Sequence, residues 1–159
     1  MKRVIEIFRD REELNQLINT PNPKYKSGIR SRAILALLCF AGLRVSELVN
    51  LRTQDIREND NCIYINNSKY NSSRVVYIPG YVFVYIKNWQ IAKPESEYLF
   101  CSRYKRKLCN AYIQKMVKRY AKRIDINKNI HPHCLRHSIA TIWLKEGKPV
   151  TGIQKQLGH

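Results

Sequence analysis

The segment His131–Thr141, HPHCLRHSIAT, holds three of the chain's four histidines, and the fourth, His159, closes the sequence in LGH. His133 and Arg136 lie three positions apart at the start of an apolar, helix-periodic run, so their side chains share one helix face. An imidazole beside a guanidinium makes a poor metal site and a good phosphate site. The guanidinium is a planar fork matched to two phosphate oxygens, and histidine moves a proton near neutral pH. His131, His133, Cys134 and His137 do carry donor types that suit zinc. Two of them flank Pro132, however, and Arg136 would repel the cation, so no metal is expected. His131 and His137 are read as structural, with His137 packed or bonded locally.

The elements that must position these groups are mostly helical. Asp10 suits a helix N-cap, with Glu13 three residues on completing a capping-box pattern, and Leu14, Leu17 and Ile18 form the apolar face. TPNPKYKSG, broken twice by proline, reads as a loop. Residues Ile29 to Ala41 form a helix apolar on nearly every side, hence central to the core. Gly42 caps it, and Ser46 begins another helix with Leu48, Val49 and Leu51 facing inward. NCIYINNSKYNSSRVVYIPG changes the period: two strands, Cys62 to Ile65 and Arg74 to Ile78, flank a polar turn. Val82 to Trp89 reads as helix, followed by a loop around Pro94 and the basic cluster SRYKRK.

Asn110 to Ile124 is a clear amphipathic helix. Tyr112, Ile113, Met116, Val117, Tyr120 and Ile124 line one face, and Lys115, Lys118, Arg119, Lys122 and Arg123 line the other. Leu135 to Glu146 and Val150 to Leu157 form a final helical pair turning at Gly147. The expected fold class is α+β: mainly α with one small antiparallel hairpin or sheet.

Charge points to the partner. Lys and Arg number 29 against 12 Asp and Glu, a formal charge of +17 over 159 residues. Such an excess costs self-repulsion and signals a polyanion, nucleic acid before membrane. Arg103, Lys105, Arg106 and Lys107 of SRYKRK, with the five cations of the amphipathic helix, are the expected DNA contacts. The five cysteines (Cys39, Cys62, Cys101, Cys109 and Cys134) lack CxxC spacing and read as small buried hydrophobes in a reducing, cytosolic setting. No signal peptide or membrane-spanning run is present.

Three further stretches align with HCLRH. AGLRVSELVNL places Arg44 between two helices, NNSKYNSSRVVYIP places Lys69 in the hairpin turn, and IQKQLGH places His159 after a short helix. Together they resemble the catalytic domain of the tyrosine recombinases, the phage integrase family that includes Xer proteins and Cre; a type IB topoisomerase is related in chemistry, but GLRVSEL and HCLRH are recombinase-like. The resemblance covers essentially the whole chain. It implies that Arg44 and Arg136 clamp the scissile phosphate, where charge develops in the transition state. It implies that Lys69 protonates the leaving 5′-oxygen, with Lys24, Lys26 and Arg74 as alternative nearby cations. His133 handles the nucleophile's proton, His159 supports the phosphate, and Glu47 orients its neighbours. No cofactor, metal or ATP is needed, because a 3′-phosphotyrosine conserves the bond energy.

The pattern departs from the family in one respect that matters for chemistry. The family's tyrosine nucleophile follows the final histidine, and all ten tyrosines here precede His159. The expectation is therefore a catalytic domain, residues 1–159, truncated at its C-terminus and without the N-terminal core-binding domain. Such a chain binds double-stranded DNA without cleaving it. Two readings stay open: a recombinase cut before its tyrosine, and a natural non-catalytic decoy or regulator. Family members act as tetramers on DNA, whereas this chain is expected to be a monomer in solution, cytoplasmic and nucleoid-associated.

Overall fold

The computed structural model describes residues 7–66, 73–124 and 129–159. Lys69 lies outside the described residues. The elements run α1 (Arg11–Ile18), α2 (Lys26–Phe40), α3 (Val45–Val49), β1 (Ile56–Arg57), β2 (Cys62–Ile65), β3 (Arg74–Tyr77), α4 (Val82–Ala92), α5 (Asn110–Arg123), α6 (Pro132–Lys145) and α7 (Val150–Leu157). The class is α+β, as expected, with one small antiparallel sheet of order β1-β2-β3.

The helix α2 is the hub. Every residue from Ala33 to Phe40 is buried, and α1, α3, α4 and α6 all pack on it. A helix apolar all round can only be stable when covered on all sides, so the other helices are arranged around this one. It starts at Lys26 rather than Ile29: Lys26 and Ser27 are polar and exposed and Gly28 has no side chain, so the first turn carries no apolar period. The Asn22 side chain accepts from the Lys24 N–H at 3.0 Å and shapes that entry. At its other end Gly42, with φ +66, ends the helix and lets α7 close in. A Cβ there would sit 2.6 Å from the Leu157 side chain.

Local chemistry explains the remaining boundaries. Asp10 caps α1, accepting from the Glu13 N–H at 2.9 Å. The Glu13 carboxylate reaches back one residue further than a capping box requires, to the Arg9 N–H at 2.6 Å. Helix α4 runs on to Ala92 and stops because Lys93, before Pro94, takes the extended conformation. Helix α6 begins at Pro132, not Leu135. Proline at the first helical position has its φ pre-set and needs no N–H partner. Pro132 therefore starts the helix instead of separating His131 from it, and His133 lies inside the first turn.

The sheet carries one strand more than a hairpin. β1 is two residues long, pairing Ile56 with Ile63 and Arg57 with Cys62, and two residues are too few to show a period. β3 ends at Tyr77 rather than Ile78, whose N–H instead bonds the Asn61 carbonyl at 3.0 Å. Cys39, Cys62, Cys101 and Cys134 are buried, but Cys109 is exposed at the N-cap of α5 and is no core residue. Among the described residues no helix is long and apolar enough to cross a membrane.

A buried bond ties the described part of the N-terminal lead to α6. The Phe8 N–H donates to Ser138 Oγ at 2.8 Å, and that hydroxyl donates to the Cys134 carbonyl at 2.6 Å. Replacing Ser138 with alanine removes the acceptor from a buried N–H. Ser138→Ala is expected to cost about 1–3 kcal/mol, read as a lower urea midpoint with an unchanged slope.

Candidate phosphate-binding site

The site is built where α3, β3, α6 and the end of α7 meet. An α-helix leaves its last carbonyls without intrahelical donors, and they form the negative end of its dipole. In α7 the Gln154 carbonyl accepts from the His159 N–H at 2.9 Å and the Lys155 carbonyl from the Gly158 N–H at 3.3 Å. The next three carbonyls each meet a different arginine. Arg74 Nε donates to Gln156 O at 3.0 Å, Arg136 to Leu157 O at 2.6 Å, and Arg44 to Gly158 O at 3.5 Å. Arg136 also donates to the Gly42 carbonyl at 2.6 Å, just past the end of α2. The GLR, LRH and LGH segments are thus joined through guanidinium–carbonyl bonds.

One carboxylate balances this group. Glu47, 5% exposed, accepts a two-pronged contact from Arg74, one arm at 3.0 Å. It also accepts from the Arg44 N–H at 2.9 Å and weakly from the Arg44 side chain at 3.5 Å. Burial pushes the Glu47 carboxyl up, but the Arg74 hydrogen bonds, the Arg44 backbone N–H and both arginine charges outweigh it. They hold the group below the usual carboxylate range. Burial, reinforced by the charges of Arg44 and Arg74 and opposed by Glu47, pulls Arg136 down to about 10. It stays charged at neutral pH. Among the described residues three guanidiniums meet one carboxylate here, an excess of positive charge for an anion to answer.

The arginines are held unequally. Arg136 is 6% exposed and bonded at short range on two sides, so it is a fixed donor. Arg44 keeps about a third of its side chain exposed, at 35%, and both of its side-chain bonds are 3.5 Å long. It is the arm free to reach a ligand.

Two imidazoles flank the group. Burial, then the charges of Arg136, Arg44 and Arg74, lowers His159 below the ordinary histidine value. Burial, then His131, His137 and Arg136, lowers His133 in the same way. Both are neutral near pH 7 and can accept or share a proton. The His131 ring lies stacked on His133, 6.2 Å between centroids. The His137 side chain is exposed; its carbonyl accepts from the Thr141 hydroxyl at 3.0 Å, and its ring is near enough to His133 to act on it. Among the described residues no three His, Cys, Asp or Glu side chains gather where they could hold a metal ion. Cys134 faces the Asn129 carbonyl instead.

The structure therefore brings Arg44, Arg136 and His159 together, with His133 one helical turn from Arg136. Arg74, which the sequence offers only as an alternative to Lys69, is an integral member of this cluster. Its signal is the strand period: Arg74 shares a face with buried Val76, and an inward arginine needs a carboxylate.

The phage integrase family model matches residues 8–159. The chain belongs to the phage integrase family. It is 34% identical over 157 residues to the tyrosine recombinase XerD of Staphylococcus haemolyticus, covering 94% of this chain and 53% of that protein. It is 39% identical over 153 residues to XerA of Thermococcus kodakarensis, covering 94% and 52%. The chain spans about half the length of these curated relatives. The crystal structure of XerA recombinase superposes with a TM-score of 0.88 at 26% identity, over 99% of this chain and 58% of that one. XerH bound to a palindromic difH substrate shares the fold, with a TM-score of 0.82 at 24% identity, over 98% and 47%.

The basic residues expected at the nucleic-acid surface of this integrase-family domain are exposed. Arg103, Lys105, Arg106 and Lys107 lie on the loop before α5, and Lys115, Lys118, Arg119, Lys122 and Arg123 lie along it. Helix α5 packs against α3, which Arg44 caps, and α6, which carries Arg136. Arg119 and Arg123 both lie over the Tyr120 ring at 5.1 Å, which stiffens two of the cations. Lys107 is drawn aside by Asn50 and Tyr98.

Two tests follow from this geometry. Gly158 has φ +76, and a Cβ there would lie 2.8 Å from the Arg74 guanidinium. Gly158→Ala is expected to cost about 1–2 kcal/mol from the left-handed backbone, measured by urea unfolding. Both histidines bind a proton more weakly in the fold than in the unfolded chain. Their stabilising effect is complete above about pH 6.5 and is lost as the pH falls below it. Proton NMR should place the His133 and His159 midpoints below about 6.5; midpoints above that value contradict the burial and charge argument.

Proposed function

We propose that these 159 residues bind duplex DNA and form the phosphate-activating part of a tyrosine recombinase. The observation that carries this is the cluster of Arg44, Arg74 and Arg136 around the carboxylate of Glu47, beside two neutral imidazoles. Such a site has spare positive charge and directional donors, which a phosphodiester in its transition state needs. Relatives of the same fold include XerH bound to difH and a lambda integrase dimer bound to a COC′ core site. The surplus of +17 charges supplies the long-range attraction and, through self-repulsion, favours a monomer without DNA.

In this reading Arg44 swings onto one non-bridging oxygen while Arg136, already fixed, takes the other. His159 lends a hydrogen bond to the same phosphate. His133 accepts the proton of the attacking hydroxyl, and Lys69 delivers one to the leaving 5′-oxygen. Arg74 neutralises Glu47, which would otherwise repel the phosphate. The exposed cations of SRYKRK and α5 track the neighbouring backbone phosphates.

The tyrosine nucleophile comes from outside these residues. Several of the tyrosines present are engaged elsewhere: Tyr81 by Arg11, Tyr112 by Arg30, Tyr85 by Asn19. Tyr120 is buried on the inner face of α5.

Fluorescence anisotropy on a duplex across a salt series tests the binding. Replacing Lys115, Lys118 and Lys122 together by alanine should flatten the salt slope by about one unit for each phosphate left unneutralised. Arg44→Ala should weaken binding about tenfold while leaving the melting temperature nearly unchanged, because its side chain is loosely held. Incubation with a nicked duplex should yield no detergent-resistant protein–DNA adduct. No binding even at low salt would overturn the DNA reading, and an adduct would place the nucleophile among the tyrosines of this chain.

A further inference from the structure

Gln156, in the last turn of α7, makes contacts that the reaction as described does not use. Its side-chain amide meets the backbone of Tyr77 twice. Oε1 accepts from the Tyr77 N–H at 3.1 Å, and Nε2 donates to the Tyr77 carbonyl at 2.5 Å. This is the pair of bonds that a neighbouring strand would make. Among the described residues β3 is an edge strand, with β2 on one side only, and Tyr77 is directly opposite Cys62 in a pair whose own backbone groups point outward. The Gln156 amide therefore pairs with this edge as a neighbouring strand would at one residue, and covers part of it.

The same residue is held from its other end. Its carbonyl accepts from Arg74 Nε at 3.0 Å, and Arg74 belongs to β3 as well. β3 and the last turn of α7 are thus joined by three bonds through a single residue. One step along the chain, Leu157 O holds Arg136; two steps along, Gly158 O meets Arg44. A displacement of α7 from β3 would move these carbonyls together and disturb each arginine they hold.

We propose that Gln156 is a positioning residue for the phosphate site: by pairing with the β3 edge it fixes the last turn of α7, and with it the arrangement of Arg44, Arg136 and His159. This rests on the phosphate reading above. Gln156 touches none of the groups assigned to the reacting phosphate through its side chain, so its effect is transmitted through the α7 backbone. A mere edge cap would protect the Tyr77 amide and alter nothing at the site.

Gln156→Met keeps the length and helix propensity of the side chain and removes both amide groups. Gln156→Ala serves as the second variant should the methionine repack. Three readouts are taken on the 159-residue chain: Tyr77 amide exchange, the His159 proton NMR titration, and duplex affinity at fixed salt. The expected result is Tyr77 exchange faster by about tenfold, and a His159 midpoint displaced toward the ordinary histidine value. Duplex affinity should fall about tenfold, with little change in melting temperature.

Faster Tyr77 exchange with an unmoved His159 titration would overturn the proposal, leaving Gln156 a local edge cap. A shift shared equally by His131 and His137 would also overturn it, as general loosening. Absence of duplex binding by the unsubstituted chain would refute the DNA reading alone, since the His159 titration is read without DNA.

Discussion

Everything at this site depends on a helix end that is not allowed to end in water. The C-terminal carbonyls of α7 are partial negative charges with no donors of their own, and the chain supplies guanidiniums from three other elements to meet them. That arrangement does two things at once. It joins α3, β3 and α6 to α7, and it collects three cations that would otherwise repel one another. Glu47 is the necessary fourth member. Its buried carboxylate makes the crowding tolerable without cancelling it.

The hydrophobic core serves that constraint. Helix α2 is covered on all sides because it is apolar on all sides, and Gly42 at its end lets α7 approach closely. The Gly42 carbonyl then becomes a second anchor for Arg136. The most deeply buried arginine of the site is therefore positioned by two helix ends, while Arg44, bonded only at 3.5 Å through its side chain, keeps the freedom to move. A rigid donor beside a mobile one suits a ligand that must enter before it is gripped.

Electrostatics at two ranges act in the same direction. An overall charge of +17 would attract a polyanion from a distance, and exposed cations are arrayed along α5 beside the site. At contact range burial, reinforced by the neighbouring cationic groups, lowers both His133 and His159, so the imidazoles arrive neutral. A bound phosphate would offset those charges and make each of them more basic, which ties proton uptake to ligand binding.

Much of this was legible in the chain. The amphipathic period of α5, the apolar run of α2, the hairpin strands and the ordered motifs around Arg44, Arg136 and His159 are properties of residue type and spacing, which sequence records directly. Helix starts at Lys26 and Pro132 and the two-residue β1 were not, because a polar first turn and a pair of residues carry no period. The partners of Glu47 and of the α7 carbonyls were also hidden. Arg74 is 27 positions from Glu47 and 82 from Gln156, and no local pattern states which carboxylate or carbonyl an inward arginine will find. By itself the sequence determined the elements, the charge and the kinds of group available for phosphate chemistry, since these depend on neighbours along the chain. Only the tertiary structure decided which arginine is fixed, which is free and what holds each. Those properties arise from contacts between groups far apart in sequence, and they exist only once the core has packed.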